Sequence, residues 1–352
     1  MNKTDFIIVG QGIAGTLLAH FLQKAGRSVM VIDDGYERAS SKVAAGIINP
    51  VTGRHYVKSW MIDELLPAAR STYRELESEL GVPLYREMNV LRALFSHGEE
   101  NDWLARCADP AYQPYLTANP EPGIYSAVTE PAFRYGGIRE SAQVNVPLLV
   151  RAYRQKLELE GALIQEVFDY AALEWFEDGV RYKAIEAGKI LFCEGAKGAQ
   201  NPWFGHLPLQ GNKGEVLHIQ MAGQAPGQIL KHRIFIVPLP AGDYWIGSTS
   251  DNRFEDDLPT AKGRDYLENH LRSLVTVPFE IREHRAALRP TVKDRRPLLG
   301  MHHEYPQLGI FNGLGTKGTS LGPYWAQAMA DLLIQGRPIP VQVDHCRFNP
   351  DV

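Results

Sequence analysis

Three glycines near the amino terminus have the spacing of a dinucleotide-binding turn. Gly10, Gly12 and Gly15 form a GxGxxG pattern between a short apolar run and an amphipathic segment. In this pattern the first glycine permits a tight turn, the second lets the backbone approach a pyrophosphate, and the third lets helix and strand pack closely. The pyrophosphate then lies at the positive amino end of the helix. The predicted contacts come from Gly10, Gly12, Ile13, Ala14 and Gly15.

An acidic residue follows at the distance that this motif requires. Asp33 ends the next predicted strand, where its carboxylate is expected to accept hydrogen bonds from ribose hydroxyls. Asp34 is adjacent and is predicted to be a turn residue of the same site. Ala19, Leu22 and Gly26 continue the motif with a spacing that resembles the extended fingerprint of FAD-binding proteins. FAD is therefore the predicted cofactor.

A second segment resembles a family of flavoproteins. The run 40–50, SSKVAAGIINP, resembles the segment with which the D-amino-acid oxidase, glycine oxidase and sarcosine oxidase family covers the pyrophosphate and the flavin. An ordinary surface loop is the alternative interpretation of this stretch. The resemblance implies cofactor contacts from Ser40, Ser41, Ala45, Gly46 and Ile47.

Further motifs of the same family follow in the same order along the chain. Residues 161–167 resemble a segment whose valine backbone meets adenine, and residues 190–196 resemble the end of a strand near the cofactor. Residues 288–300 resemble a Leu-Arg-Pro motif followed by Asp and Pro-x-x-Gly, and residues 313–319 resemble the family's last flavin-binding loop. The implied contacts are Val167, Gly195, Gly313, Gly315, Thr316, Lys317, Gly318 and Thr319.

Two departures separate the sequence from the family pattern. Cys193 and Glu194 stand where the family usually has a pair of small residues, and Lys317 stands where it often has His or Gly. The resemblance implies an oxidoreductase that oxidises a C–H bond next to an amine, with hydride passing to flavin N5. Because of the departures, the identity of the substrate is not inherited from the family.

Two cations are the candidate catalytic residues. Arg289, predicted to lie at the end of a strand and fixed by Pro290, offers the bidentate geometry that a substrate carboxylate requires. The alternative is a structural salt bridge with an acid such as Asp294. Lys317 precedes the last predicted helix, where it and the amides of residues 318–320 are expected to stabilise the negative charge that gathers near flavin N1. The alternative for Lys317 is a solvated surface lysine.

Other side chains carry weaker signals for the substrate side. Tyr56, Tyr244 and Trp245 are candidates to line a pocket, although core or sheet packing is the commoner role for such residues. Arg54 and His55 follow a Pro-Val-Thr-Gly turn and are candidates to reach the flavin's substrate face.

The elements that position these residues fall into two groups. Buried parallel strands are predicted at 6–9, 28–33, 162–167, 189–193 and 309–312, with helices at 12–25, 62–80, 146–160 and 320–334. An antiparallel sheet is predicted from strands at 215–220, 233–238 and 244–248, interrupted by a helix at 261–275, and a further strand-like run occurs at 89–95 in a mixed region. The predicted fold class is thus α/β, a Rossmann-like FAD-binding domain with an inserted antiparallel-sheet substrate domain. The FAD-binding domain is assigned to 1–85, 141–213 and 286–352, and the substrate-binding domain to 86–140 and 214–285.

The composition narrows the functional class. The chain has 352 residues and a net charge of -4, so it lacks the basic surplus of a nucleic-acid-binding protein. Three scattered cysteines fit a reducing cytoplasm rather than a disulfide framework, and the histidines and cysteines show no metal-binding spacing. No apolar run approaches the length of a membrane span.

The leading hypothesis is an amino-acid or secondary-amine oxidase or dehydrogenase, with oxygen or a quinone as electron acceptor. One alternative is a tRNA wobble-uridine modification enzyme, because residues 207–216 and the GQGxAG opening also resemble its FAD domain. Another is a flavin-bearing subunit that acts only within a complex.

Overall fold

The apolar run at the amino terminus lies in the middle of a parallel sheet. The computed structural model describes residues 2–221 and 226–348, and residues 6–9 are buried within it, so the run need not alternate with polar residues. The parallel strands, in spatial order, are Leu163–Ile164, Val29–Ile32, Asn2–Val9, Ile185–Phe192 and Leu308–Asn312. Antiparallel strands complete the sheet at Leu173–Phe176, Gly179–Tyr182 and Leu298–Met301.

Helices pack on one face of this sheet and aromatic residues pack on the other. The helices are Ile13–Lys24, Ile62–Leu80, Val146–Leu159 and Gly318–Gln335. Phe6 and Ile8 join the core on the helical side, whereas Ile7 and Val9 join the aromatic cluster that contains Phe192. Two of the helices end at glycines with φ of 66°, a backbone conformation that favours glycine.

A second, largely antiparallel sheet lies beside the first. In the described part of the chain its strands, in spatial order, are Phe279–Val292, Leu209–Met221, Asp243–Gly247, Phe235–Pro238, Ile229–Lys231, Val90–Leu94, Arg134–Ile138 and Leu116–Thr117. Residues alternate between its faces: Leu217 and Ile236 join a core that includes Leu267 of the helix Ala261–Leu274. Their neighbours on the opposite face point toward the parallel sheet and its helices.

Short elements connect the two sheets. Ile47–Ile48, Ala142–Val144 and Tyr85–Glu87 form a small sheet, and Val51–Thr52 and Val57–Lys58 form a hairpin. The remaining helices are Ser40–Val43, His97–Ala108 and Tyr125–Val128, with short 3₁₀ turns at Tyr170–Ala172, Gly195–Gln200, Pro240–Gly242 and His345–Phe348. None of the helices in the described ranges combines the length and the apolarity needed to cross a bilayer.

The predicted α/β fold class is confirmed, with differences at the ends of elements. The helix predicted at 62–80 coincides with Ile62–Leu80, whereas the strand predicted at 162–167 contains only Leu163–Ile164. Arg289 was predicted to end a strand, and this was wrong, because it lies inside Phe279–Val292. That strand is at the edge of its sheet, where Pro290 costs no ladder hydrogen bond. The domain limits remain a prediction.

Candidate active site

The three glycines of the amino-terminal turn meet different surroundings. A Cβ atom on Gly10 would lie 2.6 Å from the Cys193 carbonyl oxygen, and one on Gly15 would lie 1.9 Å from the Gly10 carbonyl oxygen. These two glycines are required by the close packing of turn, helix and strand. A Cβ atom on Gly12 would meet the Ser41 hydroxyl at 3.2 Å, and Gly12 lines an open cavity. At Gly12, a side chain would occupy space available to a ligand.

Two cavities meet at this turn. The dinucleotide cavity runs along the carboxyl ends of the parallel strands and is lined by Gly10, Gly12, Ile13, Ala14, Asp33, Asp34, Val167 and Gly195. The sheet cavity lies between the antiparallel sheet and the loop 313–319 and is lined by Ala45, Gly46, Ile47, Trp245, Arg289, Thr316, Lys317 and Thr319. The two share Ile13, Ser40, Ser41, Gly315 and Gly318, so one elongated ligand can extend through both. Gly15 and Gly313 line neither cavity and act through packing.

Asp33 is held at the edge of the dinucleotide cavity by three donors. Its carboxylate accepts hydrogen bonds from the Gln11 amide at 2.7 Å, from the Gly35 amide at 2.8 Å and from the Arg154 guanidinium at 2.8 Å. Asp34 accepts a bond from the Tyr36 amide, as expected of a turn residue. Asp34 also forms an ion pair with Lys197. Both Asp33 and Asp34 line the dinucleotide cavity.

Ser41 links the loop after the second strand to the glycine turn. Its hydroxyl accepts a hydrogen bond from the Ile13 amide at 2.9 Å, at the first residue of the helix. That amide is one of the unpaired donors that a pyrophosphate would otherwise reach at a helix start. Gly46 is fixed by packing, because a Cβ atom there would lie 1.7 Å from the Val144 carbonyl oxygen. The segment is therefore more than an ordinary surface loop.

Cys193 and Glu194, which depart from the family pattern, line the dinucleotide cavity. Val167 has 73% of its surface exposed and lines the cavity. Glu194 lines the same cavity, where burial raises the pKa of its carboxyl above the usual range. The Tyr170 hydroxyl and the Asn201 amide both donate to Glu194. Cys193 is buried at the same cavity, and burial raises the pKa of its thiol.

Arg289 projects into the sheet cavity from the long edge strand. Its guanidinium donates to Asn212 Oδ1 at 2.6 Å, to Ser248 Oγ at 2.7 Å and to the Thr249 carbonyl oxygen at 3.3 Å. Burial lowers its pKa from the ordinary value. The alternative of a salt bridge with Asp294 was wrong, because that carboxylate pairs with Arg347. Neutral partners thus orient the cation without neutralising it.

Lys317 reaches the same cavity from the loop before the last helix. Its Nζ donates to the Ser59 hydroxyl at 3.1 Å, and burial, followed by the charge of Arg295, lowers its pKa. The alternative of a solvated surface lysine was wrong, because the side chain is largely covered. The helix begins at Gly318, two residues earlier than predicted, and the Ser320 amide already donates to the Lys317 carbonyl oxygen.

The aromatic candidates divide between cavity and core. Trp245 lines the sheet cavity, and its indole N–H donates to the Val43 carbonyl oxygen at 2.9 Å. Tyr56 and Tyr244 are buried in the core, as their commoner role suggests. Arg54 and His55 are exposed and line neither cavity.

Several contributing residues gave no signal in the sequence. Arg154 reaches Asp33 from a helix more than 100 positions later. Asn212 holds Arg289 from the neighbouring strand, and Ser248 holds it from the residue after Asp243–Gly247. Only Gln11 is part of a recognised motif, and its side-chain amide donates to Thr16 and to the Val150 carbonyl oxygen. Cross-strand and helix contacts of this kind depend on register, which local patterns do not give.

One group of possible metal ligands occurs in the described residues. Asp344, His345 and Cys346 bring their ligand atoms within 4.8 Å of one another. None of them lines either cavity, and His345 Nε2 is already bonded to the Met301 carbonyl oxygen. The absence of a metal from the reaction remains a prediction.

The residues fit FAD. The cradle at Gly12, the start of the first helix at the cavity and the continuity of the two cavities suit a long dinucleotide with a pyrophosphate at its middle. The adenosine half would be held near Asp33 and Val167, and the flavin half near Gly46 and the loop 313–319.

Comparisons with known proteins agree with this fit. Glycine oxidase of Bacillus licheniformis is 26% identical over 97% of this chain and 95% of its own length. The tRNA 5-methylaminomethyl-2-thiouridine biosynthesis bifunctional protein MnmC of Caulobacter vibrioides is 26% identical over 96% of this chain but only 56% of its own. The structure of glycine oxidase from Bacillus cereus ATCC 14579 matches with a TM-score of 0.80 at 21% identity, covering 95% and 96% of the two chains. The family model for the FAD-dependent oxidoreductases known as DAO matches residues 5–332, and the chain belongs to that family of FAD-dependent enzymes.

Proposed function

We propose that this enzyme oxidises the C–N bond of an amino acid or of a secondary amine that carries a carboxylate. The observation that carries the proposal is Arg289, an oriented cation without an acidic partner among the described residues, in a cavity continuous with the cofactor site. Bound FAD supplies the hydride acceptor, flavin N5, for the C–H bond next to nitrogen. The protein supplies binding, orientation and charge.

Arg289 would bind the substrate carboxylate and fix the reacting carbon. Asn212 and Ser248 hold the guanidinium in one orientation, so little side-chain entropy is lost when a carboxylate binds. Both terminal nitrogens of Arg289 also donate to the Thr249 carbonyl oxygen, each at 3.3 Å. A substrate carboxylate would have to displace these two long bonds in order to accept two parallel hydrogen bonds from the guanidinium.

The wall opposite the cofactor loop is apolar. Trp245, Phe235, Val216 and Ala287 line the sheet cavity from the antiparallel sheet. Such a wall excludes water and disfavours a charged ammonium group, so it favours the neutral amine whose lone pair assists loss of the hydride. We assign substrate binding to this wall together with Arg289.

Lys317 would stabilise the negative charge that gathers on the cofactor during reduction. It lies at the start of the last helix, where the helix dipole adds to its own charge. Oxygen or a quinone is the proposed electron acceptor. The cytoplasm is the proposed location, because Cys107, Cys193 and Cys346 are all free thiols.

Two substitutions of Arg289 test the carboxylate assignment. Arg289→Lys removes the bidentate bond and Arg289→Leu removes the charge, so kcat/KM for carboxylate-bearing amines should fall about 10- to 150-fold. The loss should be absent for amines without a carboxylate. Arg282→Leu, which removes an exposed cation from the same strand, is the matched control. Equal losses for both classes of amine would make Arg289 a structural residue.

A second candidate function is oxidation of an amine carried on tRNA. It is supported by the match of nearly the whole chain to about half of MnmC. The net charge of -4 does not favour it. A gel shift with unmodified and amine-bearing tRNA tests it, and the absence of any shift at low salt would reject it.

A further inference from the structure

Two cations lie side by side next to the sheet cavity and have no role in the proposed mechanism. On the neighbouring strands, Lys231 lies directly opposite Arg92 on one side and directly opposite Phe235 on the other. Phe235 lines the cavity, and Lys231 Nζ lies 4.4 Å from the centre of its ring. Neither cation lines the sheet cavity: since neighbouring strands are about 4.8 Å apart, Lys231 lies one strand beyond Phe235 and Arg92 two strands beyond it.

Arg92 also contacts a residue of the hairpin that borders the sheet cavity. The Arg92 guanidinium lies 5.2 Å from the centre of the Tyr56 ring. Tyr56 belongs to the turn between Val51–Thr52 and Val57–Lys58, and Thr52 lines the sheet cavity. The same hairpin therefore borders both the cavity and the two cations.

Among the residues that the structure describes, neither cation has an acidic partner. Within residues 2–221 and 226–348, no carboxylate forms an ion pair with Arg92 or Lys231, although Glu99 and Asp102 lie near Tyr56. Lys231 donates to the Arg233 carbonyl oxygen at 3.1 Å. Burial and, secondly, the charge of Arg92 lower the pKa of Lys231 to about 8. Like charges on directly opposed positions of neighbouring strands repel, and a bound anion relieves that repulsion.

We propose that Arg92 and Lys231 form an anion subsite for the arm of the amine substrate that points away from the reacting C–N bond. The subsite takes a carboxylate or a phosphate, and it rests on the proposed function. The substrate class is then an amine with two anionic groups, one held by Arg289 and the other by the Arg92 and Lys231 pair. The carboxylate of a small diacid and the phosphate of a nucleotide-borne amine share this chemistry.

The test compares matched ligands with and without the second anion. N-(carboxyalkyl)glycines of increasing arm length are compared with N-alkylglycines of the same length, with dissociation constants from calorimetry on the FAD-loaded protein and KM from turnover. At the best arm length the anionic ligand should bind about 10- to 100-fold more tightly, the range for charge-assisted hydrogen bonds. Lys231→Met and Arg92→Leu should each remove most of this advantage, whereas kcat and the affinity for N-alkylglycines should stay unchanged.

Controls separate the subsite from general charge and from folding. Arg233→Met removes an exposed neighbouring cation and should leave the advantage intact, and Lys231→Arg should retain it. FAD content and Tm are measured for every variant. A nucleoside monophosphate is added as competitor, and Lys231-dependent inhibition by it alone would identify a nucleotide phosphate as the source of the anion.

The outcomes also separate this inference from the proposed function. Equal affinity for both ligand series, without Lys231-dependent inhibition by the nucleotide, overturns the subsite even when the amines react. Failure of every amine to reduce the flavin overturns the proposed function, and calorimetry still decides whether the subsite binds anions.

Discussion

The dinucleotide cavity and the sheet cavity are built from different parts of the chain. The first combines residues of the glycine turn, such as Gly12, with residues at the ends of the parallel strands. The second is lined by residues of strands as far apart in sequence as Phe235 and Arg289. Short local motifs therefore predict contacts to the cofactor, whereas the substrate side depends on the register of the antiparallel sheet.

The two cavities also treat charge differently. In the dinucleotide cavity Asp33 is paired with Arg154 and Asp34 with Lys197. In the sheet cavity Arg289 and Lys317 are held by neutral hydrogen-bonding groups, and within the described ranges neither forms an ion pair. The ion pairs hold Asp33 and Asp34 in position at the dinucleotide cavity, whereas the cations without an ion pair are available for an anionic substrate or for negative charge on the cofactor.

The largest expected effect comes from closing the dinucleotide cavity. Gly12→Val places a branched side chain where the pyrophosphate would lie, so FAD binding should be abolished. The measurement is the flavin absorbance of the purified protein and the FAD released on denaturation. Gly98→Val, at an exposed position in a helix, is the matched control and should retain full flavin content. A yellow Gly12→Val protein would show that the backbone cradle is not the cofactor site.

A smaller effect is expected from Lys317, which belongs to the sheet cavity. Lys317→Met should slow the reaction of reduced FAD with its electron acceptor by about 10-fold and should affect reduction by substrate less, because charge on the acceptor develops only in the second step. Rapid mixing measures the two half-reactions separately. Lys293→Met, an exposed lysine outside both cavities, should change neither rate.

The pH dependence of reoxidation tests the same residue in the unmodified protein. Lys317 is charged below its pKa, which burial places below the ordinary lysine value. Its contribution should therefore be present at low pH and be lost as pH rises through that lowered pKa. The wild-type and Lys317→Met rates should converge at high pH. A constant ratio of the wild-type rate to the Lys317→Met rate at every pH would show that the charge of Lys317 does not contribute to reoxidation.

The smallest effect is expected at a residue that only positions another. Arg154→Met leaves the cavity wall intact but removes one of the three donors that hold Asp33. The dissociation constant of FAD should rise by roughly 3- to 10-fold, the range for loss of a single hydrogen bond. Titration of the apoprotein with FAD measures it, and Arg154→Lys should restore part of the affinity. No change would mean that the two amides alone hold Asp33.

Each motif predicted for the cofactor site consists of a few consecutive residues, so it can be recognised in the sequence without knowledge of the fold. The glycine turn, Asp33 and the run 40–50 all reach the dinucleotide cavity or the part that it shares with the sheet cavity. In the sheet cavity, family motifs predicted Arg289 and Lys317, and residue type alone suggested Trp245. At Arg289 the predicted strand end was wrong, because an edge strand continues through Pro290.

The rest of the sheet cavity depends on cross-strand neighbours. Tyr56 and Trp245 are both aromatic residues outside any motif, yet Tyr56 is buried in the core whereas Trp245 lines the sheet cavity. Arg92 and Lys231 become neighbours only through a parallel pairing of strands 139 positions apart. A shift of one residue in register would turn Trp245, Arg92 or Lys231 to the opposite face of the sheet, and no local pattern specifies the register.

The central claim is tested most directly by anaerobic mixing of the FAD-loaded protein with an N-substituted glycine. The flavin absorbance band should bleach, with one carbonyl product formed for each flavin reduced, and deuterium on the reacting carbon should slow the bleaching. A 2-hydroxy acid of the same size should leave the band unchanged. Bleaching by the 2-hydroxy acid and by none of the amino acids or secondary amines would contradict the account.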